Sequence, residues 1–323
     1  MSAPEVYEIA RQVFRDNFPK LSEEASRLAT MRAEKLVEEF IEKAADRGGR
    51  LSAIADPDFQ YSLLLAQRDY ARSGDDSLKG LLTDLLVQRS STDGELERVV
   101  LAESLETVRK LTARQIAAVT VSWFFARVSF NGLDSLEEFI QVANKNVAPF
   151  VDSLPVSNSE YQHIQYTGCA SLASENRLGQ LAADNYPGLF NRGFQANSVP
   201  TELWADGVRE QLFIPCLHDD SHWQVRAKQE SAARELVRRL DLERYESEYL
   251  NLLLSYKMEP AQVEKWLRGV GEFWPNLIET WQKTSISEMY LSSVGTAIGH
   301  ANWSRVVGDK APLSIWVNEL GAN

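Results

Sequence analysis

Along most of this chain apolar residues recur every three to four positions, the spacing that lays them on one face of an α-helix. Residues 21–47, entered at Leu21, predict a long amphipathic helix. Ser22 stands as its N-cap, acids fill its first turn, and Gly48 and Gly49 follow as its stop. Its expected core positions are Leu28, Met31, Leu36, Phe40 and Ile41. Residues 56–90 predict two helices folded back on each other. Asp56-Pro57 supplies a cap and a first-turn proline, Phe59, Leu63, Ala66 and Tyr70 share one face, Gly74 ends the helix, and Asp75 caps the next. In that second helix Leu78, Leu81, Leu82, Leu85 and Leu86 mark the buried side.

Further along, Thr92 with Glu95 and Thr112 with Gln115 each fit a capping box. The helix after Thr112 is apolar almost all round (Ile116, Val119, Val121, Trp123, Phe124, Phe125), which predicts a central position. After Asn131-Gly132 a helix is expected over about 135–150, then a loop-rich stretch punctuated by Pro187-Gly188, Gly193 and Pro200. The last third returns to helical spacing and ends in "LSIWV", residues 313–317, which predicts a short strand with residues 211–216 ("QLFIPC") as a candidate partner edge. The expected fold is all-α: an irregular multi-helix assembly of helical hairpins with a minimal β element near the C-terminus. The expected division is a helical-hairpin lobe over 1–150, a loop-rich connection over 151–200, and a helical lobe over 201–323 that ends in the strand.

Composition narrows the function more than the fold. The net charge is -12, so clustered Lys and Arg able to release counterions from nucleic acid are not expected, and nucleic acid is disfavoured as a partner. Two cysteines, Cys169 and Cys216, read as reduced buried thiols. The first residues mix acids and bases with no apolar core, unlike a signal peptide. Residues 116–126 form an apolar run shorter than the roughly 20 residues that span a bilayer. The expected location is the cytoplasm.

Candidate chemistry is sparse. In "CLHDDSH" Cys216, His218 and His222 have ligand types, and four-residue spacing would put both histidines on one helix face. The competing reading is a polar cap before the following helix. Likewise, His163 and Cys169 stand close in sequence without the G-x-S-x-G turn of a nucleophile. No phosphate-cradling or zinc-protease motif occurs. Gly295 and Gly299 read as a close helix–helix contact, with His300 beside it as a structural hydrogen-bonder. The basic run Arg226, Lys228, Arg234, Arg238, Arg239 and Arg244, interleaved with glutamates, reads as a salt-bridged exposed helix or a phosphate or head-group patch. In the 56–90 hairpin Gln60, Gln67, Arg68 and Arg72 have no core or capping duty, and either brace it or face a partner. No catalytic residue, cofactor or metal is assigned. The interaction candidates are Gln60, Gln67, Arg68, Arg72, Arg234, Arg238 and Arg239.

The patches "DPDFQYSLLLAQRDYARSGD", "YTGCAS", "NYPGLF" and "SVGTAIGHANWSRVVG…LSIWV", in that order, resemble an uncharacterised bacterial family of mostly helical proteins. A looser resemblance is to the helical components of two-gene phage-defence operons of the jumbo-phage killer type. These resemblances imply a non-enzymatic cytoplasmic interaction protein, a sensor or adaptor in phage defence acting through a protein partner encoded by an adjacent gene. The alternatives are a membrane- or lipid-surface-binding protein and a metal- or cysteine-dependent hydrolase.

Overall fold

The computed structural model describes residues 2–17, 22–130, 132–309 and 311–317; Leu21 and Asn131 lie outside them. In chain order the elements are α1 (Ala3–Asn17), α2 (Glu23–Arg47), α3 (Pro57–Ser73), α4 (Asp76–Ser91), α5 (Glu95–Val108), α6 (Ala113–Arg127), α7 (Leu136–Asn146), α8 (Ala148–Val151), α9 (Asn158–Tyr166), β1 (Ala170–Leu172) and α10 (Leu178–Asn185). They continue with α11 (Arg209–Leu212), β2 (Phe213–Pro215), β3 (Trp223–Val225), α12 (Glu230–Arg239), α13 (Glu246–Leu254), α14 (Pro260–Leu267), α15 (Trp274–Lys283), β4 (Met289–Leu291), α16 (Ser293–Val307) and α17 (Ser314–Val317). The fold is an all-α multi-helix assembly with, among the described residues, two small antiparallel sheets. No described helix is long and apolar enough to cross a membrane.

The chain forms two compact units that do not follow the 150 and 200 boundaries. The first takes residues 1–124, 153–173 and 289–323; the second takes 125–152 and 174–288. The reason is long-range packing: α16, at the end of the chain, lies against α4 and α5 near its beginning. Sequence composition marks linkers but not such returns.

In the first unit the α3–α4 hairpin forms as its sequence dictates. Asp56 accepts from the Asp58 N–H, and Asp75 accepts from Ser77 and Leu78. Gly74 holds φ at 64°, a conformation that a Cβ disfavours, and its N–H caps the Tyr70 carbonyl. Arg32 from α2 donates to the Ala71 carbonyl at 3.1 Å, so a cation also sits at the negative end of α3. α2 buries Ala29, Ala33, Leu36, Val37, Phe40 and Ala44, while Leu28 and Met31 are exposed. The true face uses alanines, which let α1 and α3 approach closely, and this displaces the larger apolar residues outward. Thr112 and Gln115 form the predicted capping box. At the other expected box Gly94 occupies the N-cap position, and the Thr92 hydroxyl accepts from the Gly94 N–H and donates to Glu97. α6 is buried continuously from Gln115 to Phe125.

β1 pairs with β4, aligning Ala170 with Leu291 and Leu172 with Met289. Ser292 then fixes the start of α16: its hydroxyl donates to the Gly168 carbonyl at 2.6 Å and accepts from the Gly295 N–H. At Gly295 an added Cβ would stand 2.0 Å from the Cys169 carbonyl oxygen. At Gly299 it would stand 2.9 Å from the Trp123 Cβ. Gly299 makes the close helix–helix contact that the sequence predicts, against α6, whereas Gly295 packs on the backbone entering β1 rather than on a helix.

The predicted terminal strand is instead a helical turn, α17. It brings Trp316 within 5.0 Å, centroid to centroid, of both Trp123 and His300. Ring packing by the half-buried Trp316 outweighs the β-preference of Ile315 and Val317. The edge expected at residues 211–216 does contain a strand, β2, but its partner is β3. The second unit gathers Phe139, Phe190, Trp266 and Trp274 into one aromatic cluster and Phe194, Phe213, Val225, Val237 and Tyr249 into another.

Candidate functional site

Three helices of the first unit each offer polar side chains one turn apart to the same place. α2 contributes Lys43 and Arg47, α4 contributes Asp84, Gln88 and Ser91, and α16 contributes His300 and Ser304. In α4 these positions alternate with the buried leucines, and the packing of α2 and α16 against α4 buries Asp84 and half-buries Gln88, while Ser91 stays exposed. Arg47, Asp84, Gln88, Ser91, His300 and Ser304, with Asp309, line a cavity of about 190 Å³.

The cavity wall is acidic but braced by cations. Asp84 is 2% exposed, and its Oδ1 takes Lys43 Nζ at 2.8 Å and Arg47 Nη1 at 2.9 Å. Lys43 also donates to the Gly80 carbonyl and to Thr83, and it pairs with Glu39 at 2.9 Å. Among the described residues the second oxygen, Asp84 Oδ2, has no donor, and neither has Gln88 Oε1. A buried oxygen left without a donor costs about 1–3 kcal/mol, so a donor brought to either oxygen would be stabilising.

His300 adds a third acceptor. Its Nε2 lies 2.9 Å from the Ala311 carbonyl, which can only accept, so Nε2 carries the proton. Burial holds its pKa down to about 4, with the Ala311 carbonyl and Asp309 opposing, so the ring is neutral near pH 7. In the neutral ring Nδ1 is then a bare acceptor, and among the described residues it has no partner. The ring is gripped by Trp123 at 5.6 Å and Trp316 at 5.0 Å. Expected only as a structural hydrogen-bonder, His300 keeps that role through Nε2 and has a second nitrogen unused.

The residues singled out in the sequence fall elsewhere. "CLHDDSH" is the loop joining β2 to β3, not a helix start, so His218 and His222 do not share a helix face. Cys216 Sγ donates to the Asn191 carbonyl at 3.3 Å. His218 Nε2 bonds the Leu189 carbonyl at 2.8 Å, its ring packs on Phe190 and Trp266, and burial lowers its pKa. His222 Nδ1 is shared between Asp219, at 2.8 Å, and the Ser221 hydroxyl, at 2.9 Å. In a catalytic triad serine and aspartate address opposite ring nitrogens, and here they meet the same one. No group of three or more His, Cys, Asp or Glu converges among the described residues. Cys169 is fully buried, and burial raises its thiol pKa, opposite to what a nucleophile needs; His163 bonds Gln115 instead.

Gln60 donates to the Ile54 carbonyl at 2.9 Å, and buried Gln67 reaches the Ala10 carbonyl at a long 3.5 Å. Arg68 is half-buried and Arg72 exposed. Arg234 pairs with Glu246 and Glu230, while Arg238 and Arg239 are exposed. The cavity had no linear signature because its walls come from three stretches more than 30 residues apart. The one available signal was the polar set Asp84, Gln88 and Ser91 in an otherwise leucine-rich helix.

One protein-family model, that of an uncharacterised family, matches residues 1–317. Neither a curated protein nor a solved structure matches the chain.

Proposed function

We propose, for a chain that belongs to the uncharacterised family matched over residues 1–317, a helical interaction protein that answers to a small ligand carrying hydrogen-bond donors. The supporting observation is the trio of donor-free acceptors Asp84 Oδ2, Gln88 Oε1 and His300 Nδ1 on residues that line one cavity. Acceptors select donors, and Asp309 adds a second carboxylate to the wall, so the ligand class is a primary amine or guanidine. The volume is below the roughly 300–1,000 Å³ of a drug-sized site, so the ligand has few heavy atoms. The resemblance to phage-defence components gives this ligand response a setting: a sensor or adaptor that passes the bound state to a protein partner encoded nearby.

The test is thermal denaturation with small primary amines and guanidines, against alcohols of the same size. Amines are expected to raise the melting temperature of the wild type and to have at least a tenfold weaker effect on Asp84→Asn and Gln88→Leu. Gln88→Leu removes an acceptor without touching the Lys43–Asp84–Arg47 pairing, so it stays informative if Asp84→Asn folds poorly. No shift with any amine, or equal shifts in Gln88→Leu, would show that the cavity is only solvated. The adaptor half is tested by chromatography with the product of the adjacent gene, with and without the amine; a complex unaffected by the ligand removes the sensing role.

The hydrolase reading loses support from the hydrogen bonds that occupy Cys216, His218 and His222.

A further inference from the structure

The second unit contains a separate cavity of about 260 Å³, beside the N-terminal turn of α12. The turn around Gly132 and Asp134 forms one wall, Arg226 and Lys228 another, and Gln229, Ala232, Glu235 and Arg239 line it along α12. α12 is 10 residues long, and its N-cap residue, Gln229, makes no side-chain capping bond to it. The Gln229 amide is spent on Ser129 and on the Asn185 carbonyl instead. Without that cap the first-turn N–H groups present the positive end of the helix, where Glu230 also stands.

The independent observation is Lys228. It is 7% exposed, and among the described residues its ammonium nitrogen has no hydrogen-bond partner. A lone buried ammonium is expensive unless an anion answers it. Burial lowers its pKa to about 8; Asp134 opposes the shift, Arg226 adds to it and the Cys216 thiol opposes it. Near neutral pH the group still carries its proton. Of the other charges lining the cavity, Arg226 is held by the Glu210 and Gln211 carbonyls, Glu235 is exposed, and Arg239 is exposed on the face of α12 that borders the cavity. Bases outnumber acids in this wall, in a chain whose net charge is -12.

We propose that this cavity is a binding site for a phosphate monoester, with the Lys228 ammonium and the first-turn N–H groups of α12 as donors. The site is independent of the acceptor cavity of the first unit. It divides the basic run: Lys228 belongs to a concave anion site, whereas Arg234 is spent on glutamates.

Calorimetric titration of the full chain with inorganic phosphate and with glycerol phosphate, against chloride and acetate, tests the assignment. The expected result is saturable binding of phosphate and glycerol phosphate, weakened at least tenfold by Lys228→Met and by Ala232→Asp. Lys228→Met alone, without phosphate, is expected to melt at a higher temperature than the wild type, because it removes an unpaired buried charge. Ala232→Asp places a carboxylate on an exposed first-turn position that favours acids, so it keeps the fold and carries the test if Lys228→Met does not fold. No saturable phosphate binding, or equal affinity in Ala232→Asp, would overturn the assignment. Flotation with vesicles containing a phosphatidylinositol monophosphate separates the sources. Co-flotation lost in Ala232→Asp puts the monoester on a lipid head group, and glycerol phosphate binding without flotation puts it on a soluble molecule.

Discussion

Replacing Trp123 by alanine is expected to destabilise the protein by about 3–5 kcal/mol in chemical denaturation, the largest effect of any single truncation in the first unit. The ring is fully buried in α6 and lies 5.2 Å from Trp303, 5.0 Å from Trp316 and 5.6 Å from His300, centroid to centroid. Its backbone neighbour in space is Gly299, whose missing Cβ makes room for the Trp123 Cβ. Alanine would open a void that two rigid helices cannot close. Trp123→Phe is expected to lose clearly less than Trp123→Ala, because it leaves a smaller void. It keeps most of the ring, and it discards an indole N–H that has no partner among the described residues. Equal losses in the two variants would show that the site collapses freely and that the aromatic cluster is not the clamp on α16.

The second large effect is a pH dependence. The pKa of His300 is about 4 in the folded protein against an ordinary value of 6.5. Between those values the unfolded chain binds a proton that the folded ring refuses, so stability rises with pH across this window. Stability is therefore lost as pH falls from about 6.5 to about 4, with nothing further from this group below that. The shift corresponds to roughly 3 kcal/mol. His218, whose pKa is also lowered by burial, adds loss of the same sign. The His300 share is isolated by comparing urea denaturation of the wild type and His300→Gln at pH 7.5 and pH 4.5. The variant is expected to be less stable at pH 7.5 and to show a clearly shallower loss on acidification. Parallel losses in both proteins would mean that the buried ring is not what refuses the proton. A donor ligand on Nδ1 favours the neutral ring, so an amine that occupies the cavity is expected to protect the wild type most in this window.

Local rules carried far in this chain. The caps at Asp56, Asp75 and Thr112, the stop at Gly74, the continuous burial of α6 and the close contact at Gly295 and Gly299 all follow from residues within one or two turns of each other. Where two local rules competed, the sequence misled. Residues 313–317 are rich in β-branched and aromatic residues like a strand yet form a helical turn, because Trp316 packs there against Trp123 and His300. "CLHDDSH" has cap-like residues yet forms a strand connection, because β2 and β3 pair across it.

The candidate sites belong to a different level. The sequence alone determined an acidic, helix-built chain with glycines placed for close packing, because turns, caps and amphipathic faces are decided by neighbours within about four residues. Tertiary structure decided which polar residues leave water. Asp84, Gln88 and His300 are ordinary residues on three-turn faces until α2, α4 and α16 close around them. Lys228 is one base in a charged run until the fold buries it beside a cavity that the turn before α7 and the start of α12 also line. Desolvation is a property of everything packed around an atom, and those neighbours come from stretches tens to hundreds of residues away.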